Sequence, residues 1–207
     1  HLLANDGEDV LVFGARPTVA HMATTPLVLA DGTFSPVLPG YTQLYILHVV
    51  VAKNVAVPAL FCLVKGKCKE TYKTMLRLIE GIAEMDEKEF FDRPVEVMCD
   101  FEDGFINAVK DLFKSAKVKC CLFHFTQNIR KNARKIMRKV KKAVGELSRV
   151  YKLAQRTKRR FMMLALLPEE VITTEVVDLI VAAWKDGAPE GLKDAFDGLA
   201  STIRTTY

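Results

Sequence analysis

The chain has 207 residues, 50% hydrophobic and 27% charged, an ordinary globular composition long enough for one sizeable core plus an insertion. No membrane-spanning helix is expected, because the most apolar stretch, residues 44–64, is broken by Lys53, Asn54 and Pro58. The net charge of +5 hides a segregation: residues 130–160 hold 14 of the 30 Lys and Arg against one acid, Glu146, leaving 16 basic and 24 acidic residues elsewhere, a balance of −8. An acidic body with one dense basic segment is the footprint of a nucleic-acid binder. That segregation, with no Gly-rich phosphate loop, disfavours a small-molecule enzyme. Five cysteines, an odd number with no Cys-x-x-Cys pair, argue against a disulfide framework and a four-cysteine zinc site, and place the chain in a reducing, intracellular compartment. The chain opens on His1 and reads as a piece of a longer protein.

Residues 1–26 form a lead-in with a short strand at residues 10–13. The first organised unit begins at Leu27, where an apolar run, Leu-Val-Leu-Ala, ends in Asp31 and Gly32. A turn through Ser35, Pro36, Pro39 and Gly40 follows, then strands over residues 41–51 and 55–64 joined at Lys53-Asn54, which predicts three antiparallel strands. Residues 69–85 carry Tyr72, Met75, Leu76, Ile79 and Ile82 or Ala83 at helical spacing. The acidic cluster Glu84, Asp86, Glu87 and Glu89 reads as the solvated loop beyond. A strand over residues 95–101 delivers Asp100 to a helix start, residues 103–114 are helical, and residues 118–123 form a fifth strand. These later connections are crossovers that require parallel pairing.

From Phe125 the period is helical throughout. Ile129, Ala133, Ile136, Val140, Val144, Leu147 and Tyr151 mark one face, with Arg130, Lys131, Arg134, Lys135, Arg138 and Lys139 opposite. Further helices are expected at residues 160–167, 169–184 and 192–202, with Pro168 and the acids Glu169 and Glu170 at a helix start.

Asp31 and Asp100 each end an apolar strand, where an ionised carboxylate is costly unless compensated. If the strands are neighbours, the two carboxylates converge and suit a hard divalent cation. The plainer alternatives are a turn aspartate before Gly32 and a helix N-cap at Asp100.

Four motifs in order carry a family likeness: Asp31-Gly32-Thr33-Phe34; Gln43-Leu44-Tyr45-Ile46-x-His48; Asp100-Phe101-Glu102; and Cys121-Leu122-Phe123-His124-Phe125-x-Gln127 with Arg130. Together they resemble the transposase domain of Mutator-like elements, from about Leu27 to Arg130. The resemblance implies an α/β fold, a ribonuclease H-like mixed five-stranded sheet with flanking helices, followed by an all-helical insertion. It divides the chain into a lead-in at 1–26, a catalytic core at 27–124, and a basic helix with the helical insertion at 125–207. It also implies an Asp-Asp-Glu triad holding two divalent metal ions, Mg²⁺ or Mn²⁺, for phosphodiester hydrolysis and strand transfer on DNA.

Carried over by motif, Asp31 and Asp100 are the first two acids and metal ligands, and Cys121 with His124 form the family's Cys-x-x-His motif. The third acid follows the helical insertion in the family. Glu146, Glu169, Glu170 and Glu190 have ordinary surface or capping explanations, and none is assigned. The expectation is a fragment that ends before the third acid and is itself inactive, from a parent that is a DNA transposase. The alternative is a domesticated, catalytically inactive DNA-binding descendant.

Glu102, one pleat on from Asp100, reads as an acid that supports the metal site from behind or as a solvated one, the solvated reading being preferred, and His48 reads as a core or near-site residue. Cys121 and His124 lack two further zinc ligands, which leaves a structural or substrate-positioning role or a buried thiol with a core histidine. Arg130, Lys131, Arg134, Lys135 and Arg138 are the expected nucleic-acid contacts, because almost no acid is interspersed to pair with them. The partners implied are DNA, as transposon ends and target, and further copies in a homo-oligomer. Arg138-Lys139-x-Lys141-Lys142 and Lys158-Arg159-Arg160 resemble nuclear-import clusters, which makes the nucleus the expected location.

Overall fold

The computed structural model describes residues 1–33, 37–53, 55–85, 89–91 and 93–206. Phe34, the turn residues Ser35 and Pro36, Asn54, and the acids Asp86 and Glu87 lie outside the described residues. The chain divides into two compact units, His1–Cys121 and Leu122–Tyr207.

The first unit is built on a mixed sheet of seven strands: β1 (Leu2–Asn5), β2 (Val10–Gly14), β3 (Leu27–Thr33), β4 (Gln43–Ala52), β5 (Val55–Val64), β6 (Glu96–Cys99) and β7 (Lys117–Cys120). Their order is β1-β2-β5-β4-β3-β6-β7. β3, β4 and β5 are antiparallel, while β6 runs parallel to β3 and β7 parallel to β6. The five-stranded expectation is therefore corrected to seven, since the opening residues supply β1 and β2. The hairpin between them is locked by Asp6, whose Oδ1 accepts the backbone N–H groups of Glu8, Asp9 and Val10 at 3.0, 2.9 and 2.9 Å. β2 then zips onto β5 from Val10 opposite Val64 to Gly14 opposite Leu60.

Strict alternation on β4 buries Gln43, Tyr45, Leu47 and Val49 and leaves Leu44, Ile46, His48 and Val50 half-buried. Pro58, which lacks a ladder donor, sits on β5 beside the register shift at Leu47/His48. The buried side packs with α2 (Lys69–Glu84), through Tyr72, Met75, Leu76, Ile79, Ile82 and Ala83, and with α3 (Asp103–Leu112), through Phe105, Ala108 and Val109. A short helix, α1 (Arg16–Ala20), adds Val19 to the same core.

The second unit is helical, and no strand occurs among its described residues. It comprises α4 (Leu122–Val144), α5 (Arg149–Met163), α6 (Thr174–Gly187) and α7 (Asp197–Thr206), with 3₁₀ turns at Leu164–Leu166, Glu169–Val171 and Glu190–Phe196. Trp184 anchors this core. Its indole N–H donates to the carbonyls of Leu192 and Lys193 at 3.1 and 3.0 Å, and its ring meets Phe196 edge-on at 5.0 Å.

Three sequence-based boundaries are corrected here. The fifth strand stops at Cys120 and α4 starts at Leu122, so Phe123 is helical and exposed. The apolar stripe does not run on to Leu147 and Tyr151: Gly145 takes the left-handed conformation at φ 75°, and Ser148 caps α5 by accepting the Tyr151 N–H at 3.0 Å. Finally, Pro168 opens only a 3₁₀ turn, and extended Thr173 interrupts the chain before α6.

Candidate functional site

Asp31 and Asp100 occupy equivalent places on neighbouring parallel strands. The β3/β6 ladder pairs Leu27 with Glu96, Val28 with Val97, Leu29 with Met98 and Ala30 with Cys99. The next residues along the two chains are Asp31, still in β3 opposite Ile46 of β4, and Asp100, the first residue past β6. Neighbouring strands lie about 4.8 Å apart, so the sheet delivers two carboxyl-bearing residues side by side. Val28, Ala30, Val97 and Cys99 are buried, so alternation carries Asp31 and Asp100 toward the opposite side of the sheet from that core. Asp31 is exposed, whereas Asp100 is half-buried with its Oδ1 out of reach of water.

Behind the pair lies a buried polar network that the sequence reading does not contain. Gln43 is fully buried, accepts the Tyr72 hydroxyl at 3.2 Å on Oε1, and donates from Nε2 to Oε2 of Glu102 at 3.4 Å. Lys67 Nζ lies 3.8 Å from the other Glu102 oxygen. Glu102 is therefore no solvated acid: its side chain is only 13% exposed. Burial, then hydrogen bonding to Glu102 and the negative charges of Glu102 and Asp100, holds the Tyr72 hydroxyl far above its ordinary range. Burial also raises Tyr45, with Cys99, Asp100, Tyr72 and Glu102 adding to it. Tyr45, Tyr72 and Phe105 meet with ring centroids 4.8 to 5.6 Å apart, which fixes the apolar wall around the amide. The available signal was a glutamine at an inward position of an alternating strand, where an apolar residue is the rule.

Cys121 is the half-buried last residue of the first unit, and its N–H donates to the Cys99 carbonyl at 2.8 Å. His124, half-buried in the first turn of α4, meets the Phe123 ring edge-on at 5.5 Å. His48 is half-buried on β4 opposite Leu29. Among the described residues no cluster of three or more His, Cys, Asp and Glu is arranged to hold a metal. The Asp31/Asp100 pair, as a donor set, suits Mg²⁺, which is bound by one or two carboxylates and completes its shell with water and substrate phosphate.

In the second unit α4 buries Phe125, Ile129, Ala133 and Val140. Its other side exposes Arg130, Lys131, Arg134, Lys135 and Arg138. None of these five has a carboxylate within ion-pair distance among the described residues; on this helix it is Lys141 that pairs, with Glu146 at 2.5 Å.

Residues 27–128 match the family model of the MULE transposase domain. That likeness covers 102 of the 207 residues and is to a MULE transposase domain. No curated protein matches the chain. The MULE segment runs from the first residue of β3 into α4 and contains Asp31, Gln43, Asp100, Glu102, Cys121 and His124. The protein is thus transposase-related. The match ends before Arg130, so the basic side of α4 lies beyond it.

Proposed function

We propose that residues 27–128 form a ribonuclease H-like catalytic core of a Mutator-like DNA transposase, in which Asp31 and Asp100 hold divalent cations, Mg²⁺ or Mn²⁺, for phosphodiester cleavage and strand transfer. The observation that carries this reading is the register of β3 and β6, which brings two aspartates to adjacent ends of parallel strands. Such ions, when bound, lower the pKa of an attacking water and neutralise charge on the leaving oxygen. The chain's own residues prepare that site. Gln43, fixed by Tyr72, anchors Glu102 two residues beyond Asp100 and so restrains the loop that carries Asp100. A third acid is left unassigned.

DNA is the partner this reading requires, and Arg130, Lys131, Arg134, Lys135 and Arg138, which pair with no carboxylate among the described residues, suit a phosphate backbone. The two lysine- and arginine-rich clusters fit a nuclear protein, and a homo-oligomer acting on two transposon ends fits the same activity. A domesticated DNA-binding descendant is the second reading. It draws on the absence, among the described residues, of a three-carboxylate cluster.

Titrating Mn²⁺ into the protein by calorimetry tests the proposal. The parent binds, whereas Asp31→Asn and Asp100→Asn each lose binding by at least about tenfold. Affinity unchanged in both variants rejects the metal site and leaves the DNA-binding reading.

A further inference from the structure

An open groove of about 470 Å³ lies along α5 and α6 of the helical unit. Its apolar floor includes Met163, Leu166 and Leu167, which are 55%, 57% and 40% exposed. Its rim carries Arg156, Arg159 and Arg160, all exposed. Positions i, i+3 and i+4 of a helix share one face, so the three guanidinium groups stand together. No carboxylate among the described residues pairs with any of them, so their mutual repulsion is uncompensated within this unit.

These two properties select an occupant. Exposed, contiguous leucine and methionine side chains mark contact surfaces rather than solvated ones. A small polar ligand would need convergent polar groups in the floor, and the floor offers none. Nucleic acid would use the arginines but gain nothing from the leucines, in contrast to the basic side of α4, which exposes cations without an apolar groove. A helix with one apolar and one acidic side uses both: its apolar residues fill the groove, and its carboxylates accept paired hydrogen bonds from arginine, whose planar fork suits them better than lysine does.

We infer that the groove between α5 and α6 docks an amphipathic acidic helix of a partner protein, with its apolar side chains on Met163, Leu166 and Leu167 and its carboxylates on Arg156, Arg159 and Arg160. This inference stands apart from the metal site, which lies in the other unit, and is unaffected by loss of Asp31 or Asp100.

The test uses the whole chain and a fluorescein-labelled synthetic helix of about 16 residues, near the length at which isolated helices persist, with Leu at i, i+3, i+4 and i+7 and Glu elsewhere. Fluorescence anisotropy should report saturable binding, and the same peptide with Lys for every Glu should not bind. Replacing Arg156, Arg159 and Arg160 together with Glu should weaken binding roughly tenfold or more, the combined effect of three exposed pairs. Met163→Ser with Leu166→Ser should weaken it to a similar degree. All five positions are exposed, and melting curves matching the parent confirm that a loss is one of contact. No binding up to about 100 μM, a free energy of about −5.5 kcal/mol, overturns the inference. So does equal binding of the Glu and Lys peptides. A DNA duplex that competes with the peptide and loses affinity only in the arginine variant gives the rim to nucleic acid, and a dimer abolished by the serine variant gives the floor to a second copy; either result overturns it too.

Discussion

A β-carbon on Gly32 would lie 1.6 Å from the side-chain nitrogen of Gln43. The glutamine amide fills the space beside the strand that presents Asp31, and its partners Tyr72 and Glu102 keep it from swinging aside. Gly32→Ala should destabilise the protein by about 1–3 kcal/mol, through overpacking and a broken buried hydrogen bond. Gly81 is the control. It sits inside α2, and a β-carbon there meets nothing within 4 Å, so Gly81→Ala should stabilise by about 0.5–1 kcal/mol. Urea denaturation of both variants checks the pair, and shifts of equal sign contradict the packing described.

DNA binding by α4 should depend steeply on salt. Each phosphate contact contributes about 0.9 to the slope of log affinity against log salt. Replacing Arg130, Lys131, Arg134, Lys135 and Arg138 with Gln should therefore lower the slope by as much as about 4.5. Equal slopes for parent and variant would remove this helix from the interface.

Asp111 offers a pH test. Hydrogen bonds from Lys69 and then Lys73, at 2.6 and 3.0 Å, hold its carboxyl at about 2, below the ordinary 3.8. A carboxyl with a depressed folded-state pKa adds stability that is complete above its unfolded value and is lost as pH falls through the folded one. The window is therefore about pH 4 down to about 2. The group is exposed to solvent, so the contribution is small. A carboxyl-carbon NMR titration should find the Asp111 midpoint near the lower limit, and Asp111→Asn should flatten the acid dependence of stability in that window alone.

The thiols should separate by reactivity. Cys68 is exposed, and the Thr71 hydroxyl 3.3 Å from its sulfur lowers its pKa. Burial pushes Cys62 and Cys99 well above the usual thiol range. Iodoacetamide under mildly alkaline conditions should label Cys68 first and leave Cys62 and Cys99 unmodified until the protein unfolds. Mass spectrometry of timed samples reads the order, and early labelling of Cys99 would contradict the buried strand β6.

The elements around the carboxylates were legible because each is written locally. An apolar run ending in Asp needs no partner to be recognised, and α2 and α3 repeat at helical spacing. β1 and β2 were harder to read. They are short, and their order comes from Asp6 collecting three backbone donors and from β5, which follows β2 by more than 40 residues. The signal was Asn5-Asp6-Gly7 between apolar residues, a turn composition. The preference for a solvated Glu102 fails for a similar reason: Gln43 is 59 residues away, and nothing next to Glu102 in sequence announces a buried amide. Apolar Leu122 and Phe123 extended the predicted fifth strand because hydrophobicity alone does not mark where a ladder ends.

β7 closes one end of the sheet with only four residues, Lys-Val-Lys-Cys, and both lysines are exposed. A strand at the end of a sheet offers a row of unused backbone donors and acceptors to any other strand that drifts past. Lys117 makes that edge repulsive to its own copy, because no carboxylate among the described residues pairs with it and two such strands brought together would set ammonium against ammonium. Lys119 reaches back to Glu96 of the neighbouring β6 at 2.7 Å, which ties the short end strand to the sheet. The strand that completes the parallel part of the sheet thus also carries a charge that disfavours edge-to-edge pairing of two copies.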